Sequence, residues 1–345
     1  MSETNPLLNK ESVQGAAKHI EGLLDSKGVI SKPQKEAASV EQKEPEAKAE
    51  DNQEVHKHNT TPKENCNVIV ASRRDLNLCR QADVEAWMSE YAPQVVFFAA
   101  GTVGGIHANE TRPGEFIYEN SLMAMNVINS AYLCKVEKLL MLGSSCIYPR
   151  LAKQPIAEEK LLTGPLESTN EYYAIAKIAG VKLCEAFRSQ YNCDFINAIP
   201  ANLYGPGDTF DANRGHVIPG LIERLDFAKK NGGPVTIWGT GKPQREFMHV
   251  DDAADAIIFL MKNYSNKAII NIGTGDVYSI SELAKILSEI IGYHGSLKFD
   301  TSKPDGMPRK QLDVSRLVEL GWISKRPFRE GLQDTYNWYR KEVRT

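Results

Sequence analysis

The sequence predicts an α/β fold in which helices cover both faces of a doubly wound parallel sheet. Three short runs, residues 94–100, 138–142 and 194–199, are mostly apolar, as are strands that are buried on both faces. Segments with helical patterning lie between them, and strands that alternate with helices at this spacing indicate a parallel sheet. Loops rich in small residues follow the strands, as expected where ligands meet the carboxyl ends of such a sheet.

The predicted elements follow one another from residue 67. Strands are expected at 67–70, 94–100, 138–142 and 194–199, and helices at 81–91, 113–134 and 172–191. Loops rich in Gly, Pro and Asp dominate residues 204–215. After them we expect helices at 217–230, 251–262, 279–291 and 328–340, and strands at 235–238 and 268–272. The pattern therefore predicts one unit over residues 66–200 and a smaller C-terminal one over residues 201–345, interleaved with the last elements of the sheet.

The first 65 residues differ from the rest of the chain. Residues 32–64 contain no Leu, Ile, Met, Gly, Phe, Tyr or Trp, and Glu, Lys, Gln and Ala are frequent. Such a segment cannot bury enough apolar surface to offset the entropy that is lost on ordering. We expect residues 1–65 to form a disordered or atypical tail.

The overall composition excludes several classes of function. A net charge of −3 gives no reason to expect a nucleic-acid or membrane partner, and a hydrophobic content of 42% is typical of globular proteins. No apolar run reaches the ~18 residues of a membrane span, and the N-terminus lacks the pattern of a secretory signal. Six cysteines without a Cys-x-x-Cys pair indicate reduced thiols in the cytoplasm rather than disulfides or a metal site.

A tyrosine and a lysine, Tyr173 and Lys177, are four residues apart in the predicted helix 172–191. Residues i and i+4 share one face of a helix, so we expect the phenol and the ammonium side by side. A cation next to a phenol favours the phenolate and moves its pKa toward the neutral range, where it can exchange protons. Alone, the pattern more often marks a tyrosine packed on the core beside an outward-pointing lysine.

Three strand ends carry loops that fit a binding crevice. GTVGGI follows the strand at 94–100, GSSCIYP follows the strand at 138–142, and PANLYGPGD follows the strand at 194–199. In a doubly wound sheet these loops meet at the carboxyl edge. They would bring small residues, hydroxyl groups and a thiol into one crevice.

The serine after the second of these strands, the Tyr-x-x-x-Lys pair and the NLYGP run together resemble the extended short-chain dehydrogenase/reductase superfamily. GSSCIYP, YAIAKIAG, HVIP, WGTGKPQREFMHVDDAADA and KPDGMPRK more specifically resemble the GDP-L-fucose synthases, over about residues 68–338. That family converts GDP-4-keto-6-deoxymannose to GDP-fucose by two epimerisations and one NADPH-dependent reduction. The resemblance implies a Rossmann-like NADP-binding domain over residues 66–200 and a substrate-binding region over residues 201–345, in a homodimer.

The resemblance implies catalytic roles for five residues. Ser144 and Tyr173 would flank the C4 carbonyl of the sugar, and Tyr173 would protonate its oxygen as hydride arrives. Lys177 would hold the nicotinamide ribose and lower the pKa of Tyr173. Cys146 and His216 would be the base and the acid of the epimerisations at C3 and C5, since the C4 ketone acidifies the protons on both carbons. Without this context, Cys146 is more often a small buried hydrophobe and His216 a loop histidine.

The same resemblance implies two sets of binding residues. The residues expected to contact NADP(H) are Arg73, Ala100, Gly101, Tyr173, Lys177, Pro200, Asn202, Leu203 and His216. Those expected to contact the GDP-sugar are Ser145, Asn202, Arg224, Trp238, Arg245 and Lys310. Arg73 would neutralise the 2′-phosphate of NADP, and the cations on the substrate side suit two phosphates. No metal is expected.

One part of the implied cofactor site has no counterpart in the sequence. The family places a glycine-rich turn between the first strand and the first helix, where backbone N–H groups meet the pyrophosphate. Before residue 67 the chain has glycines only at positions 15, 22 and 28, with no apolar strand before them. The first βα unit of the Rossmann-like sheet is therefore not recognisable. A second departure is the run DTFDANRG before His216, which differs from the usual family pattern.

These departures leave several interpretations open. The chain can be a GDP-L-fucose synthase with a remodelled cofactor cradle, a sequence whose N-terminal segment was replaced, or a cofactor-impaired binding protein that keeps only the pocket. Another nucleotide-sugar epimerase or a 4,6-dehydratase is a further alternative, which the cysteine of GSSCIYP disfavours. The intact Ser144, Cys146, Tyr173, Lys177 and His216 favour an NADP-dependent epimerase-reductase.

Overall fold

The computed structural model describes residues 67–210, 215–303 and 305–344. In chain order the first elements are α1 (Gln81–Tyr91), β1 (Val95–Phe98), α2 (Ile106–Thr111), α3 (Pro113–Leu133), β2 (Lys138–Leu142), α4 (Glu171–Tyr191), β3 (Asp194–Pro200) and β4 (Asn202–Tyr204). Next come α5 (Val217–Asn231), β5 (Val235–Trp238), β6 (Gln244–His249), α6 (Val250–Asn263), β7 (Ile270–Ile272), β8 (Val277–Ser279) and α7 (Ile280–Ile291). The last elements are β9 (Leu297–Asp300), β10 (Arg309–Lys310), α8 (Ser315–Glu319) and α9 (Phe328–Glu342).

The main sheet is parallel and has the strand order β1-β2-β3-β7. Successive residues of β2 point to opposite faces. Leu139 and Met141 pack in a cluster with side chains of α1 and α3, whereas Leu140 and Leu142 pack in a cluster with side chains of α6. Both faces of the strand are thus buried, which is why it reads as a continuous apolar run. The predicted α/β fold with a doubly covered parallel sheet is confirmed.

The prediction of a strand at residues 67–70 is wrong, because these residues form no strand in the structure. None of the strand pairs within the described ranges includes them, and β1 lies at the outer edge of the sheet. An extended segment needs a hydrogen-bonded neighbour to become a stable strand, and the described residues supply none here. Val95 of β1 is accordingly 42% exposed. The tail predicted at 1–65 lies outside the described residues.

The residues that follow β3 form two smaller sheets in addition to β7. β10 and β4 pair with β6 in parallel, β8 pairs with β6 in antiparallel orientation, and β5 pairs with β9. The sequence did not predict β6, since this strand carries the charged pair Arg245 and Glu246. The buried Glu246 carboxylate accepts backbone hydrogen bonds of 2.7–2.9 Å from three N–H groups, those of Thr274, Gly275 and Leu312. This carboxylate therefore joins β6 to two later segments of the chain.

The other predicted elements lie close to the observed ones. The predicted bounds of α1, β2 and β5 are those of the structure, and the other long helices differ by one or two residues at their ends. The short elements α2, β4, β8, β9, β10 and α8 were not predicted. No helix in the described ranges is long and apolar enough to cross a lipid bilayer.

The topology brings the candidate residues together at the carboxyl edge of the main sheet. The loops after β1, β2 and β3 meet there, and α4 begins there with Tyr173 in its first turn. From the other part of the chain, β10 pairs with β6 so that Lys310 lies beside Arg245. The site therefore draws on both halves of the sequence.

Candidate active site

Tyr173 and Lys177 lie in the first two turns of α4, on one face of the helix as predicted. Lys177 is 5% exposed, and its ammonium donates a hydrogen bond of 3.1 Å to the carbonyl oxygen of Leu142 at the end of β2. Its nitrogen lies 5.9 Å from the centre of the Tyr173 ring. Burial lowers the pKa of Lys177 to about 8. Helix α4 thus places the Lys177 ammonium at the end of β2, with the Tyr173 phenol beside it.

The Tyr173 hydroxyl lies near that of Ser144, and its ring contacts Phe116 edge to face with ring centres 6.2 Å apart. Burial raises the pKa of Tyr173 above its ordinary value, the nearby Cys146 sulfur adds to this, and the Ser144 hydroxyl opposes it. We expected Lys177 to lower this pKa. The structure differs, because burial dominates at Tyr173 and the Lys177 ammonium donates to Leu142 instead. A phenol that keeps its proton at neutral pH suits a proton donor.

Cys146 lies in a 3-10 turn, Ser145–Ile147, that follows Ser144 directly. The Ser144 hydroxyl oxygen accepts a hydrogen bond of 3.3 Å from the backbone N–H of Cys146, which fixes the turn. Two donors approach the sulfur atom of Cys146: Nδ2 of Asn170 at 3.2 Å and Nζ of Lys310 at 3.5 Å. The structure therefore brings together Ser144, Cys146, Tyr173 and Lys177.

His216 precedes α5 and is half exposed. Its Nδ1 atom lies 3.8 Å from the carboxylate of Asp208, and the interaction with Asp208 raises the pKa of His216 above its ordinary value. Residues 211–214, between the two, lie outside the described part of the chain. An imidazole with a raised pKa carries its second proton at neutral pH more often than a free one, so His216 is suited to act as an acid.

The loop after β1 is held tightly against α3. The side-chain amide of Asn120 donates to the carbonyl oxygen of Thr102 at 2.9 Å and accepts from its N–H at 3.0 Å. A Cβ atom on Gly101 would lie 3.0 Å from Oδ1 of Asn120 and 3.5 Å from Nζ of Lys177. A side chain at this position would thus press on the Asn120 amide, whereas its contact with Lys177 would be an ordinary one. The preceding Ala100 is exposed, and Gly101 lies beside Lys177.

Arg73 lies beyond this loop, and 46% of its side chain is exposed. Its guanidinium is 3.4 Å from the carboxylate of Glu119, which also accepts a hydrogen bond from the hydroxyl of Thr102. Arg73 is thereby connected to the loop after β1. A 2′-phosphate that approached Arg73 would also meet the negative charge of Glu119.

At the end of β3 the side chains serve mainly to hold the strands together. Nδ2 of Asn202 donates to the backbone carbonyl oxygen of Glu246 at 2.8 Å, which ties β4 to β6. Pro200 is buried and Leu203 is half-buried beside the main core. The residues predicted to contact the cofactor on this side are therefore mostly apolar, and the Asn202 amide N–H group already donates to a backbone carbonyl.

Two of the residues predicted on the substrate side, Arg224 and Arg245, donate hydrogen bonds to backbone carbonyl groups. Arg245 donates to Met307 at 2.6 Å and to Gln244 at 2.8 Å, and Arg224 donates 2.9 Å hydrogen bonds to Gly220 and Thr236. Burial lowers the pKa of both arginines, although both remain cations at neutral pH. These contacts hold each guanidinium at a set position.

Three further substrate-side residues differ in their surroundings. Trp238 is 48% exposed, with the Lys303 ammonium 5.5 Å from its ring centre. Ser145 is buried within the turn that carries Cys146. Lys310 is 9% exposed, and the structure places it beside the Cys146 sulfur. Lys310 thus reaches the reacting end of the site, a position that the sequence pattern did not indicate.

Sequence reasoning missed four side chains that hold the site: Asp208, Asn120, Asn170 and Glu246. Asn170 had a local signal, since asparagine is favoured at the residue before a helix. Asn120 is polar and buried in α3, and a buried polar residue of this kind needs a partner. The partners of Glu246 are distant in sequence, so no local pattern could have indicated them.

The described residues fit one end of a nicotinamide dinucleotide. The glycine at 101 leaves room for a close approach beside Lys177, and Tyr173 borders the same space. The pyrophosphate end has no comparable cradle in the described ranges. Residues 67–80, which precede α1, contain no strand and no glycine, so they offer no glycine-rich turn at a helix N-terminus.

Comparison with known proteins agrees with this arrangement. Residues 43–273 match the model of the NAD dependent epimerase/dehydratase family. The chain is 52% identical to GDP-L-fucose synthase 1 of Arabidopsis thaliana over 278 residues, which cover 80% of this chain and 86% of that one. It is 47% identical to GDP-L-fucose synthase of Escherichia coli over 282 residues, 79% of this chain and 88% of that one.

Solved structures give the same result. A GDP-6-OMe-4-keto-L-xylo-heptose reductase from Campylobacter jejuni has a TM-score of 0.77 at 34% identity, covering 80% of this chain and 91% of that one. A GDP-L-fucose synthetase from Naegleria fowleri bound to NADP has a TM-score of 0.75 at 29% identity, covering 80% and 86%. The chain belongs to the NAD dependent epimerase/dehydratase family and, within it, to the GDP-L-fucose synthases.

Proposed function

We propose that this protein makes GDP-L-fucose from GDP-4-keto-6-deoxy-D-mannose, by epimerisation at C3 and C5 and NADPH-dependent reduction at C4. One observation carries the proposal. Ser144, Cys146, Tyr173 and Lys177 meet at the carboxyl end of β2, with two hydrogen-bond donors on the Cys146 sulfur. A base beside a phenol and a serine hydroxyl is what the chemistry at a ketone and its two neighbouring carbons requires.

The epimerisations use the acidity that the C4 ketone gives to the protons on C3 and C5. Cys146 removes a proton from one face of the sugar, and His216 returns one to the opposite face. The Ser144 and Tyr173 hydroxyl groups donate to the enolate oxygen that forms in between. The raised pKa of His216, which Asp208 causes, supports its role as the acid.

The reduction uses Tyr173 as the proton donor to the C4 oxygen. NADPH supplies the hydride when it is bound. The raised pKa of Tyr173 keeps its proton in place until negative charge develops on that oxygen. We assign Lys177, Gly101, Ala100, Pro200, Leu203 and Asn202 to the nicotinamide end of NADP(H), His216 to the border with the substrate and Arg73 to the 2′-phosphate.

On the substrate side, we assign Arg224 and Arg245 to the diphosphate, because each is a cation fixed by backbone carbonyl groups. Trp238 offers an exposed ring for stacking, and Ser145 and Asn202 line the sugar. Lys310 lies next to the Cys146 sulfur, so we assign it to the sugar end of the site.

We further propose that residues 66–200 bind the cofactor and residues 201–345 the substrate, in a cytoplasmic homodimer. Large apolar side chains on the outer faces of α3 and α4 support the dimer; Tyr118, Leu133, Tyr172 and Ile175 are between 40% and 66% exposed. Helix faces of this kind are typical of protein interfaces. Free cysteines at positions 79, 134, 146, 184 and 193 support a reducing compartment.

A second candidate function is epimerisation without reduction. The observation that favours it is that residues 67–80, the described residues before α1, contain no glycine-rich turn for the pyrophosphate of NADPH. Proton exchange at C3 and C5 needs only Cys146, His216 and a donor to the C4 oxygen. A protein that had lost its cofactor could therefore keep the first half of the reaction.

The experiment is incubation with GDP-4-keto-6-deoxymannose in D2O, with and without NADPH, followed by NMR of the nucleotide sugar. We expect deuterium at C3 and C5 in both samples and GDP-L-fucose only with NADPH. Exchange without reduction, together with no heat of NADPH binding in calorimetry, would establish the epimerase-only alternative. Consumption of GDP-mannose would instead identify a 4,6-dehydratase. Cys146→Ser is the matched control and should abolish the exchange.

A further inference from the structure

We propose that Asn170 is a positioning residue for the cysteine base. Its side-chain N–H group donates to the Cys146 sulfur and fixes the position of that atom, and its side-chain oxygen accepts a hydrogen bond from a hydroxyl of the substrate sugar. The part that concerns the sulfur stands on geometry alone. The part that concerns the sugar rests on the proposed function.

Asn170 connects the two elements that carry the chemistry. It ends a 3-10 turn, Ser168–Asn170, and directly precedes α4, the helix of Tyr173 and Lys177. Its Nδ2 atom lies 3.2 Å from the Cys146 sulfur, on the turn after β2. A change at Asn170 would therefore reach the sulfur directly, whereas the fold of the main sheet does not depend on this side chain.

The structure turns the nitrogen of the Asn170 amide toward the sulfur, at 3.2 Å. Lys310 has only donor hydrogens on Nζ, and this atom lies 3.5 Å from the sulfur, so the sulfur is the acceptor there. An amide that presented its oxygen would instead need an S–H group pointing toward it. With Nδ2 turned to the sulfur, both neighbours donate.

Charged and polar groups from three elements surround the sulfur. Lys310 of β10 is within hydrogen-bonding distance, and Arg245 of β6 and Tyr173 of α4 lie close enough to interact with it electrostatically. Glu167, the acidic group nearby, acts on Arg245. The N-terminus of α4, a helix of 21 residues, presents the positive end of its dipole beside Asn170. Asn170 adds a directed donor that does not titrate.

The other side of the amide is unsatisfied. Oδ1 of Asn170 is buried and has no hydrogen-bond partner within the described residues. A buried carbonyl oxygen without a partner is costly, and such groups usually meet a ligand or an ordered water. Oδ1 belongs to the same planar amide as the Nδ2 that touches the sulfur. In this proposal a hydroxyl on or next to the carbon that gives its proton to Cys146 satisfies this oxygen in the substrate complex, so that one amide orients both base and sugar.

The test uses Asn170→Asp, which keeps the shape of the side chain but replaces the donor by a carboxylate. The readout is the rate of Cys146 alkylation by iodoacetamide against pH, followed by peptide mass mapping so that the other cysteines do not contribute. We expect the midpoint of the profile to move up by about 1 pH unit or more, since a carboxylate replaces a donor. Deuterium exchange at C3 and C5 should fall about tenfold at neutral pH and recover as the pH is raised.

Two further variants and a control complete the test. Asn170→Ala removes both hydrogen bonds without adding charge, so its alkylation midpoint should move less, and the KM for the sugar should rise. Asn170→Ser, which keeps a donor, should restore part of the alkylation profile. Asn77→Asp makes the same substitution at an exposed residue whose Oδ1 accepts from the N–H of Cys79, a bond that aspartate retains. It should leave the alkylation of Cys146 and the exchange unchanged.

The possible outcomes separate this inference from the proposed function. If no Asn170 variant moves the alkylation midpoint while the wild type makes GDP-L-fucose, the inference is overturned and the function stands. If the midpoint moves but the wild type shows neither exchange nor product, the sulfur contact is established and the proposed function fails. An unchanged KM in Asn170→Ala would overturn the role of Oδ1.

Discussion

The two ends of the nucleotide crevice are built very differently. At the end of β2, every candidate group has a partner: Lys177 reaches Leu142, Tyr173 reaches Ser144, and the Cys146 sulfur has two donors. At the outer edge of the sheet, β1 has no neighbour beyond it in the described ranges, and Arg73 is half exposed beside Glu119. The residues for proton chemistry are held firmly, whereas the described part of the chain offers fewer fixed groups on the side that should hold the cofactor phosphates.

The difference indicates which step of the reaction depends on which region. Proton transfer at the sugar needs side chains within hydrogen-bonding distance of one another, and the region around β2 and α4 provides them. Hydride transfer also needs a dinucleotide held along its whole length, which places demands on the outer edge. We therefore expect substitutions at the two ends to have unequal effects.

The largest effect is expected for Tyr173→Phe. Removing the phenol should lower the turnover of C4 reduction by roughly 10²- to 10⁴-fold, the usual contribution of a positioned acid. The ring contact with Phe116 is kept, so the free energy of unfolding should change little. NADPH oxidation in the presence of the keto sugar measures the loss. Full activity in the variant would mean that another group gives the proton.

A second pair of substitutions compares the two ends of the sheet in stability. Leu140→Ala removes a fully buried side chain from β2 and should cost about 2–5 kcal/mol in urea unfolding. Val95→Ala affects a side chain of β1 that is 42% exposed and should cost less than about 1 kcal/mol. Equal losses would show that the outer edge of the sheet is covered in solution.

The third prediction concerns the buried ammonium of Lys177. Its pKa is lowered from 10.5 to about 8 in the folded protein, so between these two values the unfolded chain binds more protons than the folded one. Stability should therefore rise with pH across this window, by about 3 kcal/mol relative to Lys177→Met. Urea unfolding of both proteins between pH 7 and pH 10.5 measures this difference. Parallel curves would contradict the lowered pKa.

The smallest effect is expected near the outer edge of the main sheet, at Arg73. Arg73→Ala should weaken NADPH binding about tenfold with little change for NADH, since only NADPH carries the 2′-phosphate. Glu119→Gln should tighten NADPH binding, because it removes the carboxylate that competes for Arg73. Calorimetric titration with both cofactors measures the preference, and Arg74→Ala is the matched control. If Arg73→Ala weakens the binding of NADPH and of NADH equally, Arg73 does not recognise the 2′-phosphate.

Local sequence patterns predicted the parts of the fold that are determined locally. The apolar run of β2 and the amphipathic pattern of α4 were sufficient to locate both elements. A strand that is buried on both faces is continuously apolar, and a helix that is buried on one face has apolar residues at helical spacing. Residues 67–70 have the composition of a strand but no neighbour to pair with in the described ranges. β6 was missed because its charged residues are satisfied by partners far along the chain.

The same distinction applies to the site. Motif resemblance indicated Ser144, Tyr173 and Lys177, and their geometry fits that expectation. The contact between Lys310 and Cys146 joins residues 164 positions apart, and no periodicity encodes such a contact. The raised pKa of Tyr173 also depends on burial that arises only from tertiary packing. The sequence thus indicated which side chains the structure brings together, but not the direction of the pKa shift of Tyr173.

The position of β7 has a consequence for how the protein is made. Ile270–Ile272 pair with the end of β3, although the chain leaves the sheet at Pro200 and returns only after α5 and α6. On the ribosome, the inner edge of β3 stays unpaired until the chain has been synthesised past β7, and a free strand edge is prone to wrong pairing. The N-terminal half therefore cannot finish folding first. The newly made chain should depend on chaperones during this interval more than a protein whose sheet closes in sequence order.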